Sequence, residues 1–119
     1  MAYHLRHSAE WVIRLGDGTD ESLKRMQDAL TVLWPYTGEL FESDAVDQEL
    51  VSSGVAIEPE TLRKQWQSTV DEVFERAGLQ APEGAWMQTG GRTGVHTEHL
   101  GYMLAEMQFL QRSYPGAQW

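Results

Sequence analysis

Apolar residues recur at spacings of three and four along three separate stretches, and that period admits one kind of secondary structure. Leu62, Trp66, Val70, Val73, Phe74 and Ala77 form one stripe, and Leu100, Met103, Leu104, Met107, Leu110 and Tyr114 form a second. Met26, Leu30, Leu33 and Trp34 form a third. A period near 3.6 lines such residues along one side of a helix, whereas a half-buried strand needs strict alternation. No alternating pattern, internal repeat or low-complexity tract is present. The expected fold class is all-α.

Punctuation residues place the helix ends. A first helix is expected over roughly Ala2 to Leu15, ended by Gly16. The Met26 stripe is entered through Thr19, with Asp20 and Glu21 in the first turn, where acids favour the positive end of the helix dipole. Pro35 must break or kink that helix. A shorter helix fits between Ser43 and Gly54. Pro59 suits the first turn of the Leu62 helix because a missing N–H costs nothing there, and Gly78 suits its C′ position. Residues 79–94, LQAPEGAWMQTGGRTG, read as one irregular loop before the last helix. The first helix begins at Met1 with no capping residue before it, as the continuation of an upstream element does.

Composition removes several function classes. At 119 residues the chain is a single domain at most, or part of one. Eighteen acidic against nine basic residues give a formal charge of −9, and no basic stripe exists to meet nucleic acid or an anionic membrane. Without cysteine there is no disulfide, thiolate nucleophile or iron–sulfur ligand. No apolar run approaches bilayer-spanning length, and no signal-peptide core opens the chain. A cytoplasmic protein is the expectation.

The four histidines fall in two pairs of equal spacing, His4 with His7 and His96 with His99. Hydrolytic zinc sites use H-E-x-x-H or its inversion H-x-x-E-H, and H-T-E-H is one residue short of the latter. On a helix, His96 and His99 would lie about 60° apart while Glu98 would point about 160° from His96. A di-iron bundle site needs Glu-x-x-His on two helices. The residues three before each histidine are Met1, His4, Thr93 and His96, so that motif is absent, although Glu10, Glu98 and Glu106 lie on expected helices. A histidine on an apolar stripe is more often a packing residue than a ligand. His96, one turn before Leu100, fits that description, and His4, His7 and Trp11 make one face of the first helix. Glu10, flanked by Arg6 and Arg14 at four-residue spacing, reads as a surface ion-pair residue. TGGRTG lacks the Gly-Lys-Ser/Thr ending of a phosphate loop, and GDGTD lacks the alternating ligands of a calcium loop.

Three runs carry a resemblance: YHLRHSAEWVIRLGDGTDES, WPYTGELF and GAWMQTGGRTGVHTEHLGYMLAEMQFLQRSYPGAQW. Together they resemble the non-catalytic, structural subunits of bacterial phenylacetyl-CoA epoxidases, also called ring 1,2-phenylacetyl-CoA monooxygenases. The likeness runs from Tyr3 to Trp119 and is least distinctive between Glu42 and Glu83. It implies a ferritin-like helical bundle, of which this chain matches only the C-terminal half. It also implies a partner, the catalytic subunit, which holds the di-iron centre and binds the coenzyme A thioester. That complex epoxidises the aromatic ring with dioxygen and electrons from a separate reductase.

On this resemblance no residue here has a catalytic, cofactor-binding or metal role. His4, His7, Trp11, His96, His99, Tyr102 and Glu106 become candidates for packing or subunit contact. His99, Tyr102 and Glu106 share one arc beside the main stripe of the last helix, a polar strip suited to hydrogen bonds across an interface. Apolar stripes that lack the family's covering helices are expected to make the isolated chain self-associate. Two other classes stay open: a metal-dependent enzyme using His96, His99 and a nearby carboxylate, and an acidic helical adaptor.

Overall fold

Local capping chemistry sets several of the helix ends. In a computed structural model describing residues 1–118, helix α1 spans Ala2–Gly16 and α2 spans Asp20–Leu33. Thr19 caps α2 from an extended backbone: its Oγ1 accepts from the Ser22 N–H, and the Ser22 hydroxyl accepts from the Thr19 N–H in return. This reciprocal pair satisfies two amides that otherwise lack partners at a helix start. Asp44 and Asp47 repeat the device for α3, Ala45–Ser52. Pro35 ends α2 as expected, and the chain continues in two short 3-10 turns, Trp34–Tyr36 and Gly38–Phe41. A third such turn, Pro59–Leu62, leads into α4, Arg63–Ala77. Gly78 closes α4 in the left-handed region at φ 68°, where a side chain would be strained.

Among the described residues every regular element is helical and none is a strand. None of these helices is long and apolar enough to cross a membrane. Chain contacts divide into two compact units, residues 1–88 and residues 89 onward.

In the first unit α1 packs on both α2 and α4. Gly16 makes the closest approach. A Cβ built there would fall 2.8 Å from Ala77 Cβ and nearer still to the Ala77 carbonyl oxygen. Aromatic rings gather beside this crossing: Trp34 lies 5.8 Å from Trp66 and 5.9 Å from Phe74, and Phe41 lies 5.2 Å from Trp66 in an edge-on contact. Trp34, Phe41, Ala77 and Leu79 are the buried apolar residues. Offset and edge-on ring pairs add about 0.5–1.5 kcal/mol each beyond area burial, which matters in a core this small. Residues 79–88 have no regular structure, yet they are tied down. The Gln88 N–H donates to the Pro35 carbonyl at 2.9 Å.

The second unit differs from the sequence expectation in two places. The last helix does not include His96. Thr97 takes extended backbone as N-cap, and α5 runs Glu98–Met107. Nor is the helix continuous to Tyr114. Gln108, at φ −97° and ψ 2°, interrupts it before α6, Phe109–Ser113. Neither proline nor glycine stands at that break, so it has no local sequence signal. The expected loop before α5 contains a 3-10 turn, Gly91–Thr93, closed by the Val95 N–H donating to the Gly90 carbonyl at 2.9 Å. Trp119, last residue of the run that carries the family resemblance, lies outside the described residues.

Candidate interaction surface

Helix α1 carries an aromatic column. Tyr3, His7 and Trp11 recur every four residues and so stand above one another. The Tyr3 and His7 rings stack at 5.7 Å and 21°, and His7 meets Trp11 edge-on at 6.4 Å. His4 adds an edge contact to Tyr3 at 5.5 Å. The Arg6 guanidinium lies 5.9 Å from the Tyr3 ring centre and that of Arg14 lies 5.7 Å from Trp11. The expected ion pairs of Glu10 with these arginines are not formed among the described residues, whose salt bridges lie elsewhere. A flat ring three residues away offers each guanidinium a weakly hydrated seat, worth about 0.5–1 kcal/mol at an exposed site.

This column faces solvent. His4 and His7 are exposed, and Trp11 keeps 49% of its surface open. The half-buried positions of α1 are Ala9, Val12 and Ile13, with Ala9 and Ile13 lining a groove against Thr69 and Val73 of α4. The sequence grouped His4, His7 and Trp11 on one face. The structure keeps that grouping and leaves the face uncovered.

The C-terminal candidates separate. His96 precedes α5, so it shares no helical face with His99. His99, Tyr102 and Glu106 do lie on α5 at spacings that keep them in one arc, all exposed. None of the three makes a side-chain hydrogen bond or ion pair among the described residues. Among those residues no group of three or more histidine, aspartate or glutamate side chains converges. Neither histidine pair is therefore joined by a third metal donor, and these residues do not fit a di-iron centre.

Arg63 has no place among the sequence candidates, yet it joins an aromatic contact to one of the shortest ion pairs of the first unit. At the start of α4 it lies 4.3 Å from the centre of the Phe41 ring while its Nε donates to Glu60 Oε1 at 2.6 Å. That bond holds the Glu60 carboxyl below its ordinary range and raises the Arg63 guanidinium. Arg63 rims a shallow niche floored by Trp34, Phe41 and Trp66. The Glu60–Arg63 spacing was a visible signal; the approach to Phe41, twenty-two residues upstream, was not.

The sequence pattern of the phenylacetic acid catabolic protein family matches residues 1–119. The chain is also 50% identical over 117 residues to the C subunit of the 1,2-phenylacetyl-CoA epoxidase of Escherichia coli (strain K12). The alignment takes in 98% of this chain and 47% of that relative, so the chain spans about half its length. Because the match extends over the helical unit, the aromatic column of α1 and the α5 segment alike, the chain belongs to the phenylacetic acid catabolic protein family.

Proposed function

We propose that this chain serves as a structural, non-catalytic component of a ring-epoxidising phenylacetyl-CoA monooxygenase, occupying the place of the C-terminal half of the structural subunit in a ferritin-like bundle. Its partner is the catalytic subunit that holds the di-iron centre. The observation that carries this reading is 50% identity, across 98% of the chain, to the Escherichia coli epoxidase subunit. Two features support it. Glu-x-x-His is absent from the sequence, so this chain does not supply di-iron ligands of the bundle type. The exposed column of Tyr3, His7 and Trp11 offers rigid aromatic area of the kind that anchors protein interfaces.

Co-expression with a catalytic subunit and reductase tests the proposal. The untagged chain should co-purify with the catalytic subunit, and dioxygen consumption dependent on phenylacetyl-CoA should need that subunit. Turnover by this chain with reductant alone would overturn the reading. So would about one or more irons per chain, lost in His96→Ala, since that result favours a metal-dependent enzyme.

A further inference from the structure

Helix α1 is apolar on two opposite sides. It packs on α2 and α4, and its buried or half-buried positions are Ala9, Val12, Ile13 and Gly16. Tyr3, His7, Trp11 and Leu15 make the other side, a single row at four-residue spacing. At 100° per residue the centres of the two groups stand about 170° apart. Tyr3, Trp11 and Leu15 keep 60%, 49% and 40% of their surfaces open. A helix at the edge of a domain is apolar along one stripe and polar opposite it, whereas one that is apolar on both sides belongs in an interior.

The core of the first unit is small for its length. Among the described residues its buried apolar side chains are Trp34, Phe41, Ala77 and Leu79, and none of them is on α1. Further cover for α1 therefore has to come from outside residues 1–88. The form of that cover follows from the row itself, since side chains four apart make a ridge that seats in the groove of a crossing helix. Its source follows from the alignment, which takes in 98% of this chain but 47% of the Escherichia coli subunit. That subunit carries about as much chain outside the match as within it.

We propose that the row of Tyr3, His7, Trp11 and Leu15 is the seam of the bundle, and that it receives a helix from the part of the structural subunit that this chain does not span. Helix α1 is then a central helix, covered on one side by α2 and α4 and on the other by that segment. The inference rests on the bundle reading above and not on the epoxidase reaction. A catalytic subunit that recognises the completed bundle senses Trp11 through this seam.

Co-expression of the full 119-residue chain with the unmatched part of the Escherichia coli subunit, as a separate polypeptide, is the test. The two should co-purify, and on association Tyr3 and Trp11 should lose most of their reactivity toward hydroxyl radicals. Trp11→Glu should weaken the pair by about tenfold or more, as for a central interface residue. It should leave the thermal midpoint of the chain alone nearly unchanged, because the face it alters is uncovered. Val46→Glu, at an exposed site on α3, should not weaken the pair. Failure to associate, equal loss in the two variants, association indifferent to Trp11→Glu, or unprotected Tyr3 and Trp11 in the associated pair would overturn the proposal. Binding to the catalytic subunit is scored separately. A chain that binds the segment but not the catalytic subunit upholds the seam and ends the epoxidase reading, and the converse ends the seam alone.

Discussion

The side-chain amide of Gln27 and the backbone of Gln80 form a closed two-bond ring. Gln27 Nε2 donates to the Gln80 carbonyl at 2.8 Å, and the Gln80 N–H donates to Gln27 Oε1 at 3.0 Å. The glutamine thus pairs with the peptide as a neighbouring strand would, fixing the segment after α4 to the side of α2. Gln27→Ala removes both bonds and is expected to cost about 1–2 kcal/mol, two modest net hydrogen bonds at a solvent-accessible site. Urea unfolding reads the cost, and hydrogen exchange at the Gln80 amide should accelerate in the variant. Unchanged protection of that amide would show that the segment is held by other contacts.

Gly16 and Ala77 set how closely α1 approaches α4. Gly16→Ala places a methyl 2.8 Å from Ala77 Cβ, a separation that packed carbons do not tolerate. The helices must move apart, and the expected destabilisation is about 1–3 kcal/mol, typical of overpacking. The thermal midpoint should fall accordingly. Gly78→Ala is a useful contrast: no atom lies within 4 Å of its added methyl, so its cost comes from the left-handed backbone alone.

The Glu60–Arg63 pair makes a pH-dependent prediction. Because the Arg63 hydrogen bond lowers the Glu60 carboxyl in the folded chain, the pair stabilises the fold above the unfolded carboxyl's titration range. That contribution is lost as pH falls through the lowered folded value. Carbon-detected NMR titration should find Glu60 titrating below the usual glutamate range, and Arg63→Gln should raise it toward that range. Solvent reaches both groups, so added salt should shrink the difference.

Trp11 and Trp34 should behave oppositely. Trp34 is 8% exposed at the centre of the ring cluster, and Trp34→Ala is expected to cost about 3–5 kcal/mol of stability. Trp11 tops an uncovered column, so Trp11→Ala should change stability by about 1 kcal/mol or less. On the epoxidase reading its effect appears instead in affinity for the catalytic subunit, reduced by about tenfold or more. Calorimetric unfolding and a binding titration on the same variant separate the two roles.

What the sequence determined by itself were the helix boundaries marked by a capping side chain, a proline or a left-handed glycine within one turn. Thr19, Asp44, Pro35 and Gly78 set their boundaries through bonds or backbone limits spanning two to four residues, and those boundaries are legible in the chain order. The aromatic column of α1 was legible for the same reason, since rings four apart on a helix must neighbour one another. Placing His96 on the last stripe failed because periodicity carries no information about where Thr97 turns extended. Only the tertiary structure decided that Gly16 meets Ala77, that Gln27 holds Gln80, and that Arg63 reaches Phe41. These partners are brought together by packing apolar surface between elements far apart in sequence, and many pairings satisfy the same periodic pattern. Which face of α1 is covered was decided in the same way: Ala9 and Ile13 are small or branched enough to sit against α4, and the rings of Tyr3, His7 and Trp11 are left facing outward.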